Sequence, residues 1–151
     1  MAYNPNNPNG QTGAANSAPV VIASDQSTIN TSLQEVASGG ASVFHLVSLG
    51  STAGTNPSSI KQSGGKVTGW YIYNSNGSAR KVSFHDTGGT PQAGTNVYFS
   101  AVIPPLSAAN CPFPAGIGFT GGIAITTTTG LADSDSVGVA AADLIINIFY
   151  K

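Results

Sequence analysis

From Gly40 onward the chain is written in short runs of Val, Ile, Phe and Tyr that alternate with polar residues. Clusters of Gly, Ser, Asn and Pro cut one run from the next. A period of two places successive side chains on opposite faces of a strand, whereas a helix needs apolar residues every three or four positions. No helical period persists anywhere. The best helical stretch, Ser32 to Ala37, is too short to stand alone. The pattern therefore predicts an all-β domain over residues 41–151, preceded by a segment of different character.

Lys66 to Asn74 is the strongest strand. Simple alternation puts Val67, Gly69, Tyr71 and Tyr73 on one face and Thr68, Trp70 and Ile72 on the other. Apolar side chains on both faces mark a central strand, or one covered by a partner. Ser75-Asn76-Gly77-Ser78 reads as a hairpin turn, because Asn and Gly both accept positive φ. The return strand is Ala79 to His85, with Val82 and Phe84 inward and Lys81, Ser83 and His85 outward. Further strands are expected at Ser42–Leu49, around Ile60, at Asn96–Ile103, Ile117–Phe119 and Ile123–Thr129, and from Asp143 to the end. Leu106 to Ala115, with Pro112 and Pro114, reads as an irregular loop. About seven or eight short strands in this length predict a two-sheet β-sandwich, jelly-roll or Ig-like.

Residues 1–40 form the other part, an extended N-terminal arm. They hold three prolines, many asparagines and two charged residues, Asp25 and Glu35. Such a segment cannot bury enough apolar surface within itself to offset the entropy of ordering its backbone. Its apolar run, Pro19-Val20-Val21-Ile22-Ala23, is the expected assembly contact. It would add main-chain hydrogen bonds to a neighbouring surface.

Charge is scarce throughout. Lys and Arg number five and Asp and Glu six, 7% of 151 residues, for a net charge of −1. About 25% is usual for soluble domains. Little self-repulsion keeps such a chain monomeric, and contacts built without ion pairs resist changes in salt. Phosphate binding needs clustered Lys and Arg, and Arg80-Lys81 is the one adjacent pair, so nucleic acid is not an expected partner. No stretch approaches the roughly 20 apolar residues of a membrane span, and the first residues lack the basic and apolar regions of a secretion signal. The single cysteine, Cys111, has no internal partner for a disulfide.

Chemistry-bearing motifs are few, and no cofactor is implied. His85-Asp86 invites a catalytic reading, but serine is so abundant that a Ser-His-Asp set arises by chance. His45 and His85 are forty residues apart, without zinc-type spacing. Asp133-Ser134-Asp135 resembles part of a calcium loop but lacks its glycine and distal glutamate. No catalytic or metal-ligating residue is assigned, and an enzyme is not expected. The aromatics Trp70, Tyr71, Tyr73 and Tyr98 fall on strands that need a second cover. They are the candidate interface side chains, with a carbohydrate platform as the rival reading.

Several stretches carry a resemblance. Asn9-Gly10-Gln11-Thr12, followed by Ala15-Asn16-Ser17-Ala18-Pro19-Val20-Val21-Ile22-Ala23-Ser24-Asp25-Gln26-Ser27, looks like an N-terminal signature of tailed-bacteriophage virion proteins. Gly69-Trp70-Tyr71-Ile72-Tyr73-Asn74, Ala79 to His85, Gly130 to Asp135 and the closing Phe149-Tyr150 are similar to small phage structural proteins. The resemblance implies a place in the virion, as a capsid decoration (cement) protein assembled in the host cytoplasm. The implied partners are other copies of itself, as a trimer, and the phage major capsid protein. A tail, neck or fibre-associated module and a carbohydrate-binding module for host attachment are the alternatives.

Overall fold

The computed structural model describes residues 40–46 and 52–151. Within them the β-branched and aromatic runs form eight strands: β1 (Ser42–Leu46), β2 (Ser58–Lys61), β3 (Gly65–Asn74), β4 (Arg80–Asp86), β5 (Phe99–Ile103), β6 (Ser107–Phe119), β7 (Ile123–Thr128) and β8 (Leu144–Tyr150). They build two four-stranded sheets, ordered β1-β8-β3-β6 and β2-β7-β4-β5. All pairings are antiparallel. The ladders β1·β8, β2·β7, β3·β6 and β4·β5 are those of one long hairpin, with first strand against last and the two middle strands together. Rolling that hairpin adds β3·β8 and β4·β7, and closes two sheets over a common core. This is jelly-roll connectivity.

The core is filled by alternate residues from both sheets. Val67, Trp70, Ile72, Ile146 and Ile148 of the first meet Val82, Phe84, Ile103, Ile123 and Ile125 of the second. Trp70 and Phe84 lie 5.4 Å apart across the gap, and Phe84 stacks on Phe99 at 4.3 Å. Val67 shares the inward face with Trp70 and Ile72, against the simple alternation. A bulge explains it: Val67 pairs with Tyr150 and Gly69 with Phe149, so Thr68 is an extra residue that inverts the faces before it.

Two further expectations are corrected. Ser75–Ser78 is not a hairpin turn, since β3 and β4 lie in different sheets. Both edges of β3 are taken by β6 and β8, and both edges of β4 by β5 and β7. Neither Asn76 nor Gly77 has positive φ. The stretch expected as a loop from Leu106 to Ala115 is, from Ser107 on, most of β6, a thirteen-residue strand; Leu106 alone belongs to the turn before it. It lies at the edge of its sheet, where one side has no ladder to serve, so Pro112 and Pro114 are tolerated.

Side chains, not turn geometry, close the β3–β4 connection. The Asn74 amide is fully buried and donates to the carbonyls of Ser78, Ile103 and Pro104 at 2.9, 3.2 and 3.0 Å. It thereby ties the β3–β4 crossing to the β5–β6 crossing. Asp143, at the entry to β8, accepts from Arg80 Nε at 2.7 Å and from the Asn76 amide at 2.9 Å. Burial pushes the Asp143 carboxyl up, but the bonds from Arg80, Asn76 and the Ala140 N–H outweigh it and hold it below its ordinary 3.8.

Replacing Asp143 with Ala leaves the buried Arg80 guanidinium unpaired. Urea unfolding should show a loss of about 3–5 kcal/mol. A loss well under 1 kcal/mol would mean that this corner does not hold the crossings.

Candidate assembly surface

The two outer faces of the sandwich differ. On the second sheet, Lys81, Ser83 and His85 of β4 point outward as alternation requires, beside Thr126 and Thr128 of β7. All five are nevertheless buried. Two long connections roof them. The β7–β8 connection lies over Lys81, whose ammonium donates to the Ala132 carbonyl and sits 3.4 Å from Asp133 Oδ1. Ser100 Oγ on β5 donates to the same carboxylate oxygen at 2.9 Å. The β4–β5 connection meets that roof at Gly94, where a Cβ would sit 2.8 Å from the Ser134 carbonyl and φ is +80°. Only glycine fits the seam.

This roof absorbs most of the chemistry-bearing residues. The Asp133-Ser134-Asp135 fragment already faces a cation, the Lys81 ammonium, while Asp135 accepts the Gly130 N–H at 2.8 Å. Hydrogen bonds from Ser100 and Lys81 hold the Asp133 carboxyl below its usual value, Ser100 contributing most. Among the described residues no group of three His, Cys, Asp or Glu is placed to hold a metal.

His85 and Asp86 are not brought together. Successive residues of a strand point to opposite sides. His85 Nε2 meets Thr126 Oγ1 at 2.9 Å under the roof. The Asp86 carboxylate caps the β6–β7 crossing, accepting from Thr120 N–H and O–H, Gly121 N–H and Gly122 N–H at 2.7–3.2 Å. His45 pairs with Asn147 at 2.7 Å on the neighbouring strand.

On the first sheet no described residue roofs the outer face. Register sets out three rows across it: Val43, Phe149, Gly69 and Pro112; then His45, Asn147, Tyr71 and Asn110; then Ile145, Tyr73 and Ala108. Val43 is 56% exposed, Tyr71 42% and Ile145 38%. No Asp, Glu, Lys or Arg occupies these rows. The centre is a band of hydrogen-bonding side chains, with apolar side chains on both sides of it. These rows suit a protein partner; charge enters only beyond the bulge, where Lys66 is exposed on the same side.

Of the aromatics singled out from sequence, Tyr71 and Tyr73 lie on this face. Trp70 points the other way, into the core, within 5.0 Å of Phe113 and 6.0 Å of Phe99. Tyr98 lies at the foot of β5, 54% exposed, with its ring edge against Phe119. The arm residues Pro19, Val20, Val21, Ile22 and Ala23 fall outside the described residues. Sequence reading did not single out Val43, Ile145, Asn147, Phe149 or Asn110. The signal for β8 was present, since Leu144 to Tyr150 is apolar at nearly every position and so offers Ile145 and Phe149 to a second cover.

The roofed histidine predicts a pH dependence. Burial is the main cause holding the His85 ring below its ordinary 6.5, and nearby Lys81 acts in the same direction, against the raising influence of the Asn96 and Thr95 backbone. The unfolded chain therefore takes up this proton first on acidification. Stability is full above the unfolded value and falls as pH drops from 6.5 towards the folded value. The shifted carboxylates, Asp86, Asp133 and Asp143, all titrate below 3.8 and add nothing in that window. The urea midpoint should decline between pH 6.5 and about 5, and His85→Gln should flatten that decline. An unchanged slope in the variant would contradict the assignment.

No family model matches the chain, and no curated protein or solved structure matches it.

Proposed function

We propose that this chain is a structural subunit of a tailed-phage particle, a capsid decoration protein that stabilises the head by bridging capsomers. The observation that carries the reading is the outer face of the first sheet: four strands wide, roofed by no described residue, without Asp, Glu, Lys or Arg in its three central rows, and centred on Tyr71 and Asn147. Contacts made through these central rows form without ion pairs, so they are little weakened by salt. The sequence resemblance to phage structural proteins points the same way. The jelly-roll, an architecture used by viral capsid domains among others, supports it by analogy.

In this reading the subunits form a homotrimer and sit on the major capsid protein. The outer face supplies the broad contact, and the Pro19–Ala23 segment supplies an extended strand to a neighbouring surface. Many copies acting together resist the pressure of packaged DNA through multivalency, although each contact is modest.

Introducing a charge at the centre of the face tests this. Tyr71→Arg should fold with unchanged stability and lower particle occupancy about tenfold or more, the scale of a tyrosine hot spot. Normal occupancy would remove the face from assembly. Copy number separates head from tail, because a head protein scales with the capsomers and a tail protein does not.

A further inference from the structure

The β4–β5 connection, residues 87–98, borders a cavity of about 440 Å³ beside the end of β4. That volume lies within the range of small-molecule sites, roughly 300–1,000 Å³. Its lining holds no Lys and no Arg, and Pro91 is its one apolar residue. Two lining groups can carry charge, and both are engaged elsewhere. The Asp86 carboxylate is taken up by Thr120, Gly121 and Gly122. The His85 ring bonds Thr126, and burial favours its neutral form.

The loop is shaped by its own bonds. Thr87 Oγ1 accepts the Gly89 N–H at 3.1 Å, and the Thr95 hydroxyl donates to the Gln92 carbonyl at 3.0 Å. Asn96 adopts the left-handed region at φ 48°, which asparagine tolerates better than most residues. Three lining side chains remain that no hydrogen bond among the described residues engages: the Thr90 hydroxyl and the Gln92 and Asn96 amides. An amide offers two N–H donors and a carbonyl acceptor, and a hydroxyl offers both roles.

This set is selective by charge. A phosphate or carboxylate ligand would find no cation, and a divalent metal would find no free carboxylate. A neutral ligand whose groups both donate and accept would find partners for each. We propose that this cavity is a saccharide-binding site, in which Thr90, Gln92 and Asn96 read the sugar hydroxyls. It lies apart from the bare sheet face, so it is separable from assembly.

The test is a titration of the full chain with glucose, galactose and N-acetylglucosamine, followed by ¹⁵N–¹H spectra. At least one sugar should shift the amides of residues 87–96 saturably, with a millimolar Kd. Gln92→Ala and Asn96→Gly should each weaken it about fivefold or more; glycine keeps the left-handed backbone while removing the amide. Tyr71→Ser, on the bare face, should leave it unchanged. The proposal is overturned if none of the three sugars moves these amides up to about 50 mM. It is equally overturned if binding survives both loop variants, or if it is lost in Tyr71→Ser.

Discussion

The buried corner of Asn74, Arg80 and Asp143 is the interaction on which the rest of this jelly-roll depends. In a rolled hairpin every connection except β4–β5 passes from one sheet to the other. Each crossing takes backbone carbonyls and N–H groups out of a ladder, and those groups must find other partners. One amide, Asn74, meets three such carbonyls, and one carboxylate, Asp143, joins β4 to the entry of β8. Asp86 plays the matching part at the β6–β7 crossing. A chain with so few charges places three of them, Asp86, Arg80 and Asp143, at crossings.

That economy accounts for the difference between the two outer faces. The long connections, 87–98 and 129–143, fold over the second sheet and bury its polar row from Lys81 to His85. The first sheet is left with Tyr71, Ile145 and Val43 exposed and Tyr73 half-buried, and no Asp, Glu, Lys or Arg stands in their rows. A face whose central rows mix exposed apolar side chains with uncharged polar ones is poorly served by water alone. Its natural complement is another protein surface, which the proposed place in a particle would supply.

Strand identity was legible wherever apolar and β-branched residues cluster, alternating in β4 and nearly continuous in β7 and β8, because such runs fit a buried sheet. Connectivity was less so. Asn76-Gly77 carries a strong local hairpin signal, yet β3 and β4 each find both neighbours elsewhere, and those long-range ladders override the turn preference. The prolines of β6 hid a strand because edge position, which excuses them, is a property of the whole sheet. The bulge at Thr68 reversed the expected side of Val67 through one extra residue that nothing in its neighbourhood announces. The roof over Lys81 and His85 was equally invisible, since it depends on where two distant loops meet.

Hydroxyl-radical footprinting of the protein, dispersed and then assembled on the proposed phage particle, tests the central claim most directly. Tyr71 and Tyr73 on the bare face should become protected on assembly, while Leu131 and Val137, exposed on the β7–β8 connection, keep their labelling. Equal labelling of Tyr71 and Tyr73 in both states would contradict the account, because the face proposed to carry assembly would then stay exposed.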